Sequence, residues 1–150
     1  MDQVTNHSDD LHGYYFEDLE VGMTDVFSKT ITESDIVIFA GLSGDTNPVH
    51  LNEEFAMGTM FKGRIAHGML TSSFISTVIG TKLPGPGCIY VKQSLKFKAP
   101  VKAGDTVKAH CTITELVPEK KFITLLTQCK VAGNVVVDGE ATIMVPSRLA

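Results

Sequence analysis

Hydrophobic and polar residues follow two different periods in the two halves of this chain. Up to about residue 82 the pattern is helical and irregular; from about residue 90 it alternates. Thr24 to Thr30 reads as a strand. Thr32 then caps a helix whose third position is Asp35, with Ile36, Phe39 and Ala40 along one side, ending near residues 41–44. Asn52 caps a short helix containing Glu53, Glu54, Phe55 and Met57, and the two acids suit its first turn. Residues 61–64 form a turn around Gly63. From Gly68 to Thr81 comes a different helix, with Met69, Leu70, Phe74, Ile75, Val78 and Ile79 set among Thr71, Ser72, Ser73 and Ser76, and no charge before Lys82. A helix this uncharged is expected to be buried. Gly80 and Pro84 end it.

In the second half Val91, Gln93, Leu95 and Phe97 alternate with Lys92, Ser94, Lys96 and Lys98, the period of a half-buried strand. Turns at residues 103–105, 118–121 and 132–134 separate three more runs: Val107 to Ile113, Leu125 to Val131, and Val137 to Val145. Strands at this spacing with short turns are antiparallel neighbours. One buried helix against one long curved antiparallel sheet is an α+β layer arrangement.

Composition narrows the class. At 150 residues the chain is one domain with room for a proper core. Its 43% hydrophobic and 20% charged residues fit a soluble globular protein. A net charge of −4 disfavours nucleic acid and anionic membranes as partners. No run reaches membrane-spanning length. Residues 1–13 are polar and acidic and are expected to be flexible, with the domain running over 14–150. They lack the basic start and apolar stretch of a secretory signal, which points to the cytoplasm. Cys88, Cys111 and Cys129 are far apart, with no Cys-x-x-Cys pair and no zinc spacing. Cys111 and Cys129 sit in apolar runs and read as reduced core residues.

The chemistry concentrates in residues 41–50, Gly-Leu-Ser-Gly-Asp-Thr-Asn-Pro-Val-His. Pro48 lacks an N–H and pushes Asn47 away from the helical region, and Gly44 can take backbone angles that other residues avoid. The expected product is a bent, non-helical loop that brings Asp45 and His50 together, an acid/base pair able to handle a water and its proton. From spacing alone, a local side-chain turn at Asp45 and a pocket wall at His50 serve equally well.

The run Gly44-Asp45-Thr46-Asn47-Pro48-Val49-His50 resembles, without departure, the signature loop of the R-specific enoyl-CoA hydratases. These are the type-2 or MaoC-like group of the hot-dog fold. The residues Ile65-Ala66-His67-Gly68-Met69-Leu70, Leu83-Pro84-Gly85-Pro86-Gly87 and Gln93-Ser94-Leu95-Lys96-Phe97 extend the resemblance over residues 14–145. It implies a sheet wrapping the helix of residues 68–81, and a homodimer with its sites at the subunit interface. The implied activity is reversible hydration of a trans-2-enoyl-CoA to the (R)-3-hydroxyacyl-CoA. It would run without metal or other cofactor, in fatty acid or polyhydroxyalkanoate metabolism.

By the same resemblance Asp45 is the main base, His50 orients the water and shares the proton, and the Gly68 N–H meets the thioester oxygen at a helix start. Ser76 matches a family serine near the site, though a bond to the carbonyl four residues back suits it equally. Asn47 reads as a lock on the loop. His67 reads as a packing or cap residue. Lys62 and Arg64 are the candidate cations for CoA phosphates, and Lys92, Lys96 and Lys98 read as a solvated strand face. The alternatives are a 3-hydroxyacyl dehydratase acting on acyl-carrier protein or CoA, an acyl-CoA thioesterase, and a non-catalytic acyl-CoA binder.

Overall fold

The structure, a computed structural model, describes residues 9–149. After two short 3-10 turns (Asp9–Leu11 and Phe16–Asp18), four α-helices and six strands of the described residues run in the order β1 (Thr24–Thr30), α1 (Glu33–Ser43), α2 (Pro48–Leu51), α3 (Glu53–Met57), α4 (Gly68–Thr81), β2 (Ile89–Gln93), β3 (Lys96–Phe97), β4 (Thr106–Val117), β5 (Phe122–Val131) and β6 (Asn134–Met144). The strands form one antiparallel sheet in the order β1-β4-β5-β6-β2, with β3 also paired to β6.

The sheet wraps α4 because inward positions alternate along its long strands. Val107, Ala109, Cys111 and Ile113 of β4 are buried, as are Ile123, Leu125, Thr127 and Cys129 of β5. The buried face of α4 contributes Leu70, Phe74, Ile75, Val78 and Ile79 to the same core. Register shifts at 113/115 in β4 and 129/130 in β5 accompany this curvature, since an extra residue in one strand bends the pair. These observations agree with the α+β arrangement and with a buried central helix.

Helix α1 starts as its sequence predicts. Thr32 Oγ1 accepts from the Asp35 N–H at 3.1 Å, and Asp35 Oδ2 accepts from the Thr32 N–H at 2.9 Å. It ends at Gly44, whose φ of 79° is a left-handed cap.

Three expectations need correction. The 45–50 segment is not wholly non-helical: Pro48 opens the single-turn helix α2, because proline at the first helical position lacks only an N–H that would be unpaired there. Asn47 is its cap, accepting from the Val49 N–H at 3.1 Å. Second, residues 91–98 are not one half-buried strand. The chain breaks between β2 and β3 where the Ser94 carbonyl lies so close to Gly139 that a Cβ there would meet its oxygen at 1.9 Å. In the single chain both faces of β2 are open, with Ile89, Tyr90 and Val91 exposed. Third, the docked chain begins before Tyr14. Residues 1–8 lie outside the described residues, but the Gly13 N–H bonds to the Pro86 carbonyl at 2.9 Å, and His12 stacks on Tyr15.

Candidate active site

One cavity of about 520 Å³ opens where α4 begins. Its wall includes Asp45, His50, His67, Gly68, Thr71, Phe97 and Lys98, with an apolar remainder from Met60, Phe61, Ile65, Ala66, Pro100, Val101 and Val137. A mostly apolar chamber with a few convergent polar groups is the form expected of a small-molecule site.

The loop and α2 carry the first two groups. The Asp45 N–H donates to Ser43 Oγ at 3.2 Å, and the Asn47 N–H donates to Asp45 Oδ1 at 3.3 Å. The exposed carboxylate therefore stands out from a turn that it helps to form itself. His50 is buried, 8% exposed. Its Nδ1 lies 2.8 Å from the Ile65 carbonyl oxygen. A carbonyl has no proton to give, so Nδ1 carries the hydrogen, and in the neutral ring the lone pair is on Nε2.

Residues 65–68 supply the opposite wall. Ile65 fixes His50 as described. His67 is 1% exposed, and its Nε2–H donates to the Asp45 carbonyl at 2.9 Å. Its ring stacks on that of His50 with centroids 3.8 Å apart. Gly68 is the first residue of α4, after His67 at the cap position. Among the described residues its N–H has no backbone acceptor, as the start of a helix requires. A Cβ on Gly68 would meet the Phe97 ring at 2.6 Å, so glycine lets that ring close over the helix start.

The predicted residues divide. Asp45, His50 and Gly68 come together at the cavity. Asn47 is at hand as the α2 cap, a structural part. Ser76 is exposed on α4 and does not line the cavity, because two further turns of helix carry it away from the Gly68 end. Arg64 is already engaged: its Nε donates to the His50 carbonyl at 2.7 Å, and its Nη2 pairs with Glu33 Oε1. It braces α2 against α1 instead of standing free for a phosphate. Lys62 is exposed and lies outside the cavity wall. The lysine that does line it is Lys98, 3.9 Å from Asp138 Oδ2. His67 was read only as a packing or cap residue; the signal for more was its place immediately before Gly68.

Ligand atoms of Asp45, His50 and His67 all lie within 4.8 Å of one another, a distance that invites a metal reading. The stacking opposes it. Lone pairs of imidazoles lie in the ring planes, and planes only 27° apart do not converge on one ion as tetrahedral ligation demands. Thiol chemistry is equally remote, since burial pushes Cys111 and Cys129 up to about 12.

Comparison with known proteins agrees with this geometry. The family described as MaoC like domain matches residues 20–135. An (R)-specific enoyl-CoA hydratase of Rhodospirillum rubrum is 64% identical, covering 94% of this chain and 98% of that protein. A 3-hydroxybutyryl-CoA dehydratase of Methylorubrum extorquens is 50% identical, covering 93% and 88%. Among solved structures, the unliganded R-hydratase PhaJ1 from Pseudomonas aeruginosa superposes with a TM-score of 0.85 at 46% identity, covering 91% of this chain and 88% of that one. With a matched family spanning most of the domain, a hot-dog sheet around α4 and the intact Asp45-to-His50 loop, the chain belongs to the MaoC-like family.

Proposed function

We propose that this protein adds water reversibly across the double bond of a trans-2-enoyl-CoA to give the (R)-3-hydroxyacyl-CoA, a carbon–oxygen lyase acting in either direction. The observation that carries the reading is the meeting of the Asp45 carboxylate, the His50 ring and the Gly68 helix start around one apolar cavity. The activities named for the relatives, hydratase in one and dehydratase in the other, are the two directions of this reaction.

The roles follow from charge. A water placed between Asp45 and His50 donates one hydrogen to the carboxylate and the other to the Nε2 lone pair, leaving an oxygen lone pair for C3. Asp45 takes a proton as that oxygen bonds to C3. The π electrons move through C2 to the thioester oxygen. The Gly68 N–H, at the positive end of α4, meets the negative charge there. The proton is then delivered to C2, and the enolate collapses to the thioester. Water supplies both the hydroxyl on C3 and the proton on C2, and no net oxidation or reduction occurs, so water and the CoA thioester are the two reactants and no redox cofactor is called for. Asn47, Ile65 and Arg64 hold the parts in place, and Ser76 has no part within one chain.

The open β2 edge, with Ile89, Tyr90 and Val91 exposed, supports pairing with a second copy as a homodimer. None of the described helices is long and apolar enough to cross a membrane, and the cysteines are unpaired, which suits a cytoplasmic enzyme.

The test is the loss of enoyl absorbance on adding purified protein to crotonyl-CoA, with the product's configuration read by stereospecific dehydrogenases. Rapid loss giving the R alcohol is expected. Release of free CoA thiol would indicate a thioesterase, and binding without turnover a non-catalytic module; either overturns the reading. Turnover confined to acyl-carrier-protein thioesters would keep the chemistry and change the carrier.

A further inference from the structure

The His67 ring touches both members of the proposed pair. It stacks on the His50 imidazole at 3.8 Å, and its Nε2–H holds the Asp45 main-chain carbonyl at 2.9 Å. No other described side chain makes a hydrogen bond to that carbonyl. The segment 65–68 thus supplies three adjacent fixtures: the Ile65 carbonyl that sets the His50 tautomer, the His67 ring that fixes Asp45, and the helix start at Gly68.

The burial of His67 needs a reason. Its Nδ1 is buried with no hydrogen-bond partner among the described residues. Leaving a buried polar atom unpaired is costly, and an apolar ring would fill the same space without that penalty. Phe39 packs on His67 with centroids 4.8 Å apart, so the neighbourhood already accepts an aromatic ring. What an apolar ring cannot supply is the Nε2–H.

We propose that His67 is a positioning residue, whose Nε2–H fixes the main chain at Asp45 so that the carboxylate and the His50 Nε2 lone pair face one water. The inference rests on the proposed hydration. It adds a residue that acts through the Asp45 main chain and not on the reacting atoms. The Asp45 N–H is held by Ser43 at 3.2 Å, the longer of the two main-chain anchors. Loss of the carbonyl bond therefore leaves Asp45 on two longer contacts, the Ser43 one and the Asn47 N–H on its carboxylate at 3.3 Å. Displacement of a catalytic group by about 1 Å costs up to about 100-fold in rate.

The experiment compares His67→Phe, His67→Asn and His67→Gln with wild type. Phenylalanine keeps the ring and loses the donor. Asparagine keeps an amide that falls short of Asp45, and glutamine places its amide nitrogen near the position of Nε2. Two quantities are read: kcat and KM on crotonyl-CoA, and amide hydrogen exchange at residues 45–47. The expected result is a kcat lowered about 10–100-fold in Phe and Asn with KM little changed, faster exchange at 45–47, and recovery of both in Gln. Wild-type kcat and exchange in the Phe variant would overturn the proposal, as would a Gln variant as impaired as Asn. If Phe does not fold, the Asn and Gln pair decides. If wild type does not turn over crotonyl-CoA, the hydration reading fails by itself, and the exchange data still judge the anchor.

Discussion

The His50 Nδ1–H points at the Ile65 carbonyl oxygen from 2.8 Å, and this single bond decides which face of the imidazole can do chemistry. A ring held by Nδ1 offers only its Nε2 lone pair to the cavity. The chain pays for that orientation with helix geometry: α2 is one turn long and begins at a proline, so His50 sits in its last turn, turned back toward residue 65. The acid and the imidazole are five residues apart in sequence, yet neither is held by the other. Each is fixed by the strand-like segment leading into α4.

Arg64 follows from the same geometry. It joins the His50 carbonyl to Glu33 on α1, so removing it frees α2. Arg64→Ala is expected to cost about 2 kcal/mol of stability, the scale of a charged hydrogen bond to a half-buried partner. It should lower kcat while leaving KM for the CoA thioester nearly unchanged. Urea unfolding and steady-state kinetics check both. A selective rise in KM with stability intact would restore Arg64 as a phosphate ligand.

Asp35 makes stability depend on acid. The Lys29 ammonium at 2.6 Å, then the Thr32 N–H, hold its carboxyl below the ordinary aspartate value. A depressed native value contributes stability that is present above the unfolded value and is lost as pH falls through the native one. Asp35→Asn should therefore destabilise at neutral pH and flatten the loss of stability below about pH 4. Thr32→Ala, which removes the reciprocal cap bond, should cost about 1 kcal/mol. Thermal melts at several pH values report both.

Gly139 admits the Ser94 carbonyl at the break between β2 and β3, where no side chain fits. Gly139→Ala is expected to destabilise by about 1–3 kcal/mol through overpacking. Because β2 pairs only with β6 among the described strands, the damage should fall on that edge. If the β2 edge pairs two copies as proposed, sedimentation of the variant should show weaker association than wild type. An unchanged assembly with normal stability would mean the edge tolerates the shift.

Much of this was legible in the sequence, and the failures share a cause. The β4, β5 and β6 runs alternate because one face meets α4, and the apolar stripe of α4 is the face that meets them, so these patterns report burial directly. Residues 91–98 alternate as well, yet lie open on a single chain; alternation reports two faces, not what covers them. The loop motif paired Asp45 with His50, and the separate match over residues 65–70 added Gly68. Arg64 and Lys62 were chosen by charge alone, and charge does not reveal that Arg64 has Glu33 beside it. His67 was missed because its partner is a main-chain carbonyl 22 residues away, which no side-chain pattern encodes.

In the proposed hydration Asp45 takes the proton of the attacking water. The most direct measurement is kcat for crotonyl-CoA hydration by Asp45→Asn beside wild type, with the melting temperature of each. Asparagine keeps the shape and the turn but not the basicity. The role of Asp45 as base requires a loss of about 10²–10⁴-fold in kcat with the fold intact. A folded variant that hydrates at the wild-type rate would contradict it.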